Sequence, residues 1–493
     1  MATGMFVVLP SVACRFIFAP AVCKYAALSY VWGDNPTHVP TPNKFSQVVV
    51  DAIEVTLLMK LRYLWVDRHC INSNDEADKH HQISQMGNIY ANAEITIIAA
   101  AGTDPTYGLP GISRPRKQHP DGFPYLSHQI KESVWASRGW TYQEGFLSPR
   151  KLVFTDYEAS YLCDTICLAE HAQDSMSIMA RGVDDRLKSF TLSYSEDDKI
   201  IYKYNMYRVH QMIIEYSRRQ LGYPSDALHA IKGVIKLLEI KAFTLIWGIP
   251  IHYNLPMIHW YHEHPTERRP GFPSWSFLGW NGPIQVHQIP TRYCIHFKAS
   301  LGDGENLLFG GKRMASIASE LRGLGENAPR YLHLTGYVVD LPLKNIQQTK
   351  SVQNSARKMI CGHQVIPVQD TAPSSGIYAS LKMRPGLRIL VKTNIDESNF
   401  TACHVLGFFI GTDLEKDIDP SSRADFLLLR RSGTCYERIG YLAWRLRRFS
   451  NTFYDYGDSV YFIESDDVSD EIIELPRTPL WAGEAEKRTV VVG

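Results

Sequence analysis

The run Glu94-Ile-Thr-Ile-Ile-Ala-Ala-Ala101 decides the fold. It is apolar almost throughout, rich in β-branched residues, and closed by Gly102. A strand with one wet face would alternate apolar and polar residues, so a run without alternation reads as a strand buried on both faces. Working back along the chain, Asn74-Asp75 can cap a helix that carries Ile83, Met86, Tyr90 and Ala93 on one stripe. Before it, Tyr63-Leu-Trp-Val-Asp67 is a second buried strand with an acid at its carboxyl end. A helix-like run opens at Pro42-Asn43 and extends to about Lys60, with Val48, Ala52, Val55 and Met59 at helical spacing. Ala26–Trp32 is a first buried strand, ended by Gly33-Asp34-Asn35-Pro36. Strand, helix, strand, helix, strand with apolar strands predicts a parallel sheet covered on both faces. Right-handed crossovers then bring the strand ends to one rim.

Working forward, Gly102–Ser133 is polar and rich in Gly and Pro, and predicts a long surface loop. Its cluster Arg114, Arg116 and Lys117 suits either phosphate contact or plain solvation. Ser137-Arg-Gly-Trp-Thr-Tyr-Gln-Glu-Gly-Phe-Leu-Ser-Pro-Arg150 follows. It predicts one or two helical turns stopped by Pro149. Trp140 and Glu144 are four residues apart and share a helical face. An indole beside a carboxylate could hold a nucleotide sugar, the acid on its hydroxyls. Equally, Trp140 could orient the turn while Glu144 pairs with Arg138 or Arg150. Asp67 likewise reads as a ligand group at the rim or as a cap for the following loop. Lys151–Phe154 and Ser160–Cys163 are further strand candidates.

From Ala172 to Lys199 the chain turns polar and acidic, which marks a boundary. Ile200–Gln220 and Ala227–Leu238 read as helices, and Phe272–Trp280 as a tightly fitted strand. After about Gly282 short apolar runs separated by turns dominate: Tyr331–Leu341, Leu387–Val391, Val405–Ile410, Phe426–Leu429 and Val460–Phe462. A chain of 493 residues exceeds one core. The expected organisation is an α/β domain over residues 1–172, a mainly helical extension over 173–285 and a β-rich region over 286–493.

A formal charge of +1 provides no global field for nucleic acid. Nine scattered cysteines, an odd number, do not build a disulfide framework, so reduced thiols and a cytoplasmic location are expected. Cys163, Cys167 and His171, and separately Cys403-His404, lack a paired Cys-x-x-Cys knuckle, so no metal centre is expected. The first 22 residues lack a basic start and are interrupted by Pro10, Arg15 and Pro20, which speaks against a signal peptide. No run reaches ~18 apolar residues, so no membrane span is expected. Walker, Gly-x-Ser-x-Gly, His-Glu-x-x-His and kinase signatures are missing.

Three ordered blocks carry a family resemblance. They are Ala27-Leu-Ser-Tyr-Val-Trp-Gly-Asp34, then Leu64-Trp-Val-Asp-Arg-His-Cys-Ile-Asn72 with Gln82–Ala93, then Arg138-Gly-Trp-Thr-Tyr-Gln-Glu144. Together they resemble fungal heterokaryon-incompatibility (HET) domain proteins, whose domains are similar in turn to Toll/interleukin-1-receptor (TIR) domains. Two departures are visible: no Gln follows Ile71-Asn72, and Arg68-His69 stand where smaller residues are usual. The segment before Ala26 is also short for the family. The resemblance implies a flavodoxin/TIR-like parallel sheet and an allorecognition role in programmed cell death. It implies Glu144 as the catalytic residue of an NAD glycohydrolase. Ser29, Tyr30, Asp67 and Trp140 would bind NAD, as substrate rather than as cofactor. Self-association on activation and an unidentified recognition partner are implied too. The alternatives are a non-catalytic self-associating signalling module and an inactive paralogue.

Overall fold

The computed structural model describes residues 5–8, 15–18, 20, 22–33, 45–72, 74–118, 126–163, 166–170, 209–240, 244–251, 257–264, 266–286, 294–302, 306–309, 327–346, 358–361, 364–367, 375–393, 395, 404–412, 424–444, 461–465, 472–474 and 480–493. The chain divides into two compact units, Met1–Lys241 and Ala242–Gly493. The acidic stretch 172–199, His171 and Cys403 lie outside the described residues.

The first unit is built on one mixed sheet. Its strands are β1 (Met5–Val8), β2 (Arg15–Phe18), β3 (Tyr25–Ser29), β4 (Tyr63–Val66), β5 (Ile95–Ala99), β6 (Arg150–Phe154), β7 (Ala159–Cys163) and β8 (Cys167–Ala169). Their order across the sheet is β2-β1-β4-β3-β5-β6-β7-β8. β4, β3, β5 and β6 are parallel neighbours, and antiparallel hairpins flank them on both sides. The helices are α1 (Gln47–Leu58), α2 (Asp67–Cys70), α3 (Glu76–Asn92), α4 (Leu126–Lys131), α5 (Val134–Ser137), α6 (Thr141–Leu147), α7 (209–217) and α8 (His229–Ile240). The chain moves from β3 to β4 on one side and then returns past β3 to β5 on the other. The strand order therefore reverses at the carboxyl ends of β3 and β5, the position at which open α/β sheets bind ligands.

The three apolar runs become β3, β4 and β5, buried almost without interruption, as strands covered on both faces require. On α1 Val48, Ala52 and Val55 of the expected stripe are buried and Asp51 joins them, while Met59 lies just past the helix and is half-buried. On α3 Met86 and Tyr90 face the core, with Gln82 and Ile89 rather than Ile83 beside them. Asp75 caps α3 by accepting from the backbone of Ala77 and Asp78.

The segment expected as a continuous loop after Gly102 contains α4. Upstream of α4 it is anchored by Asp51. That carboxylate accepts from Leu109 N and Ser113 Oγ, each at 2.6 Å, and from Gln47 Nε2 at 2.7 Å. A Cβ on Gly108 would lie 2.6 Å from Asp51 Oδ2 at a φ of +74°, so the approach requires glycine.

The second unit is strand-rich. Its long strand Leu332–Ile346 pairs antiparallel with Lys298–Leu301, Gly376–Arg384, His404–Thr412 and Glu486–Val492. One core cluster joins Leu341, Leu381, Ile389, Phe409, Phe426 and Trp481. Phe272–Trp280, expected as a strand, is instead a compact turn ending in a 3-10 turn at Phe277–Gly279. Arg268 and Arg269 hold it by donating to the carbonyls of Phe272, Leu278, Gly279 and Trp280. The Gly279 carbonyl also accepts from the Arg269 backbone N–H at 2.7 Å, and Trp280 pairs with Arg268 in a two-residue antiparallel ladder, so only the end of the segment is strand. Among the described residues no helix is long and apolar enough to cross a membrane.

Candidate functional site

Four of the five residues singled out above converge at the carboxyl ends of β3 and β4. Ser29 is the last residue of β3 and Tyr30 follows it. Asp67 follows β4 and opens α2. Glu144 lies in α6, 115 residues after Ser29, and is delivered by the β5-to-β6 connection.

Glu144 is 4% exposed. Ser29 Oγ donates to Glu144 Oε2 at 2.5 Å, and Ser29 in turn accepts from Trp135 Nε1 at 2.7 Å. The Tyr90 phenol donates to the Leu28 carbonyl at 3.1 Å and also hydrogen-bonds Glu144. The carboxyl is thus fastened by hydroxyl groups rather than paired with a guanidinium. Arg150, one of the two expected ion-pair partners, is engaged with Glu94. Arg138, the other, donates from its guanidinium to the Tyr30 carbonyl at 3.3 Å, and its charge reaches Glu144 only as a secondary influence.

Asp67 has a different setting. Trp32 Nε1 donates to its Oδ2 at 3.0 Å, and the Arg68 backbone N–H donates to its Oδ1 at 2.6 Å. Its carboxylate thus takes a local backbone donor without capping α2, and it is buried. Burial is the main force on both acids, and the Asp67 charge adds to the proton affinity of Glu144. Glu144 is pushed up to about 7, by desolvation first and the Asp67 charge second. Asp67 is pushed up to about 6 by desolvation, against the pull of its hydrogen bonds and of Arg138. Tyr30 is raised well above its ordinary value by burial first, then by Asp67.

Trp140 goes elsewhere. It packs on the core of the sheet, and its indole N–H donates to Asp226 Oδ2 at 3.0 Å. Its helical neighbourhood with Glu144 places the turn rather than bringing the indole to the carboxyl.

That turn is clamped by residues well beyond it. Gly139 N donates to Gln220 O and Gln220 N to Ser137 O, both at 2.6 Å. Arg219 is buried and donates to Arg138 O and Thr141 Oγ1, each at 3.1 Å, with its guanidinium over the Tyr142 ring at 4.8 Å. Tyr142 Oη donates to Met212 O, and Gly233 N donates to Gln143 Oε1. α3 and α8 meet at glycines, where a Cβ on Gly87 would sit 3.0 Å from the Gly233 Cα. Trp135, Trp32 and Arg219 were not singled out in the sequence as site residues, and Tyr90 was read only as part of a core stripe. Their partners are 35 to 106 residues away, and no local spacing marks them.

Residues 25–144 match the model of a family described as heterokaryon incompatibility protein (HET), and the chain carries that domain over those residues. The match starts at the first residue of β3 and ends on Glu144. No curated protein and no solved structure matches.

Proposed function

We propose that this chain is a heterokaryon-incompatibility effector whose first unit is a flavodoxin/TIR-like domain that hydrolyses NAD at the nicotinamide N-glycosidic bond. The observation that carries the reading is the buried Glu144 carboxyl, held by Ser29 where the strand order reverses and within electrostatic reach of Asp67. The parallel order, second strand, first, third, fourth, supports the flavodoxin-like assignment.

The chemistry suits one ionised carboxylate. Nicotinamide in NAD is a pyridinium, so it leaves neutral with the electron pair of the broken C–N bond and needs no acid to protonate it. Positive charge builds on the ribose C1′. Glu144, when ionised, stabilises that charge in a site where burial has removed water. A water then bonds to C1′ and gives its proton to Glu144 or to solvent, leaving ADP-ribose. Tyr30 and Asp67 serve as polar contacts for the sugar, and Ser29 orients the carboxylate. The reaction calls for no cofactor.

One observation favours a second reading. Glu144 is nearly fully enclosed, as a structural acid would be. In that case the unit works by self-association, and the carboxyl only shapes it.

Expression in a fungal host separates the two. The wild-type chain should kill and deplete cellular NAD, and Glu144→Ala at equal abundance should do neither. If Glu144→Ala still kills without NAD loss, self-association is the activity. A chain that accumulates folded and does neither in its wild-type form is the inactive paralogue.

A further inference from the structure

Next to the two buried acids the rim reverses its charge. Trp32 is 39% exposed, and its indole N–H is tied to Asp67. Two guanidiniums lie over its ring, Arg68 with Cζ at 5.7 Å from the centroid and Arg138 with Cζ at 5.9 Å. Arg68 and Arg138 are each only half-buried. Arg138 spans the two zones: its side chain reaches the Tyr30 carbonyl, and its backbone carbonyl is fixed by Arg219. Arg219 therefore fixes the backbone of Arg138 as well as the start of the Glu144 turn. An acidic floor suits a cationic ring and sugar hydroxyls. Paired guanidiniums suit phosphate, because their planar donors match its oxygens and their charge is never lost.

We infer that Trp32, Arg68 and Arg138 form an anion-recognising rim that selects ligands carrying a diphosphate next to the ribose, with the indole as the surface on which the guanidiniums are arrayed. The inference rests on the nucleotide reading of the Glu144 site. It adds that the phosphates, not the nicotinamide alone, provide recognition.

The test uses the full chain and ADP-ribose as probe, because ADP-ribose keeps the diphosphate and has no bond left to cleave. Calorimetric titration at two salt concentrations should show binding that weakens as salt rises. Arg138→Gln should weaken it about ten-fold or more and flatten the salt dependence. Arg138→Lys should recover part of the loss. Trp32→Phe should weaken binding and remove the tryptophan fluorescence change that accompanies it. Nicotinamide riboside, which has no phosphate, should lose far less affinity than ADP-ribose does in Arg138→Gln. Melting curves of every variant are recorded, and if Arg138→Gln melts early then Arg68→Gln carries the comparison. Equal ADP-ribose binding by wild type and a folded arginine variant overturns the inference, as does no binding by wild type. ADP-ribose binding that depends on Arg138, in a chain releasing no nicotinamide from NAD, ends the hydrolysis reading and leaves this one standing. Nicotinamide release with an unchanged KM in Arg138→Gln does the reverse.

Discussion

At the scale of the residue, Glu144 is the unusual group. A carboxyl this enclosed normally costs stability when ionised, unless a cation compensates it. Here the partners are Ser29 and Tyr90, and the nearest acid, Asp67, opposes ionisation. The sign of the pH effect follows. The folded chain holds the Glu144 proton more tightly than the unfolded chain does. The stabilising contribution is therefore complete below the ordinary glutamate range and is lost as pH rises through about 7. Glu144→Gln keeps an acceptor for Ser29 and removes the charge. It should raise stability at pH 8 by roughly 3 kcal/mol, the linkage value of moving the carboxyl from its ordinary range to about 7, and the gain should shrink towards zero at pH 5. Urea denaturation at the two pH values measures it, and an equal effect at both would refute the assignment of the shift. Asp51 is the opposite kind of buried acid. It is compensated by three donors, so Asp51→Ala strands Leu109 N and should cost about 2–3 kcal/mol. Loss of hydrogen-exchange protection should concentrate at Leu109–Ser113.

At the scale of the element, the parallel core was legible because burial on both faces writes an unbroken apolar run. Glu94–Ala101 could be read as a strand for that reason alone. The placement of Ser29, Asp67 and Glu144 was legible through the ordered blocks in which they sit. What joins Ser29 to Glu144 across 115 residues is a crossover, and no local pattern records it. Trp135 sits between the loop read over Gly102–Ser133 and the turn that starts at Ser137, in a stretch with no pattern of its own, although it supplies the donor that orients Ser29. Ile83 and Gln82 exchange roles on α3 because a stripe read at helical spacing fixes a face only to within about one residue. The polar segment after the first sheet concealed the clamp. Its decisive contacts are main-chain bonds at Gln220 and the close crossing of α3 and α8. Gly233→Val should therefore destabilise the first unit. The added atoms would meet Leu147 Cδ1, 2.6 Å from the new Cβ, at a cost of about 1–3 kcal/mol. A lowered urea midpoint at unchanged slope is the expected signature.

At the scale of the whole molecule, the family match and the structural unit have different extents. The match stops at Glu144, whereas the compact unit continues to Lys241. Residues 209–240 fasten the helix that carries Glu144, so residues 1–241 should unfold cooperatively as an isolated fragment. A fragment ending at residue 172 lacks Arg219, Gln220 and Asp226 and should show earlier exchange at Ser137–Leu147. The second unit has its own core around Leu332–Ile346, and its role in incompatibility is open to direct assay by deletion. The account as a whole turns on whether the enclosed acid at the end of the first parallel strand performs chemistry. Nicotinamide release from NAD by the purified full chain, wild type beside Glu144→Gln across pH 6 to 9, measures that directly. The account predicts release by wild type that rises with pH through about 7, and none above background from a folded Glu144→Gln. Equal release by the two proteins, or none by wild type at any pH, would contradict it.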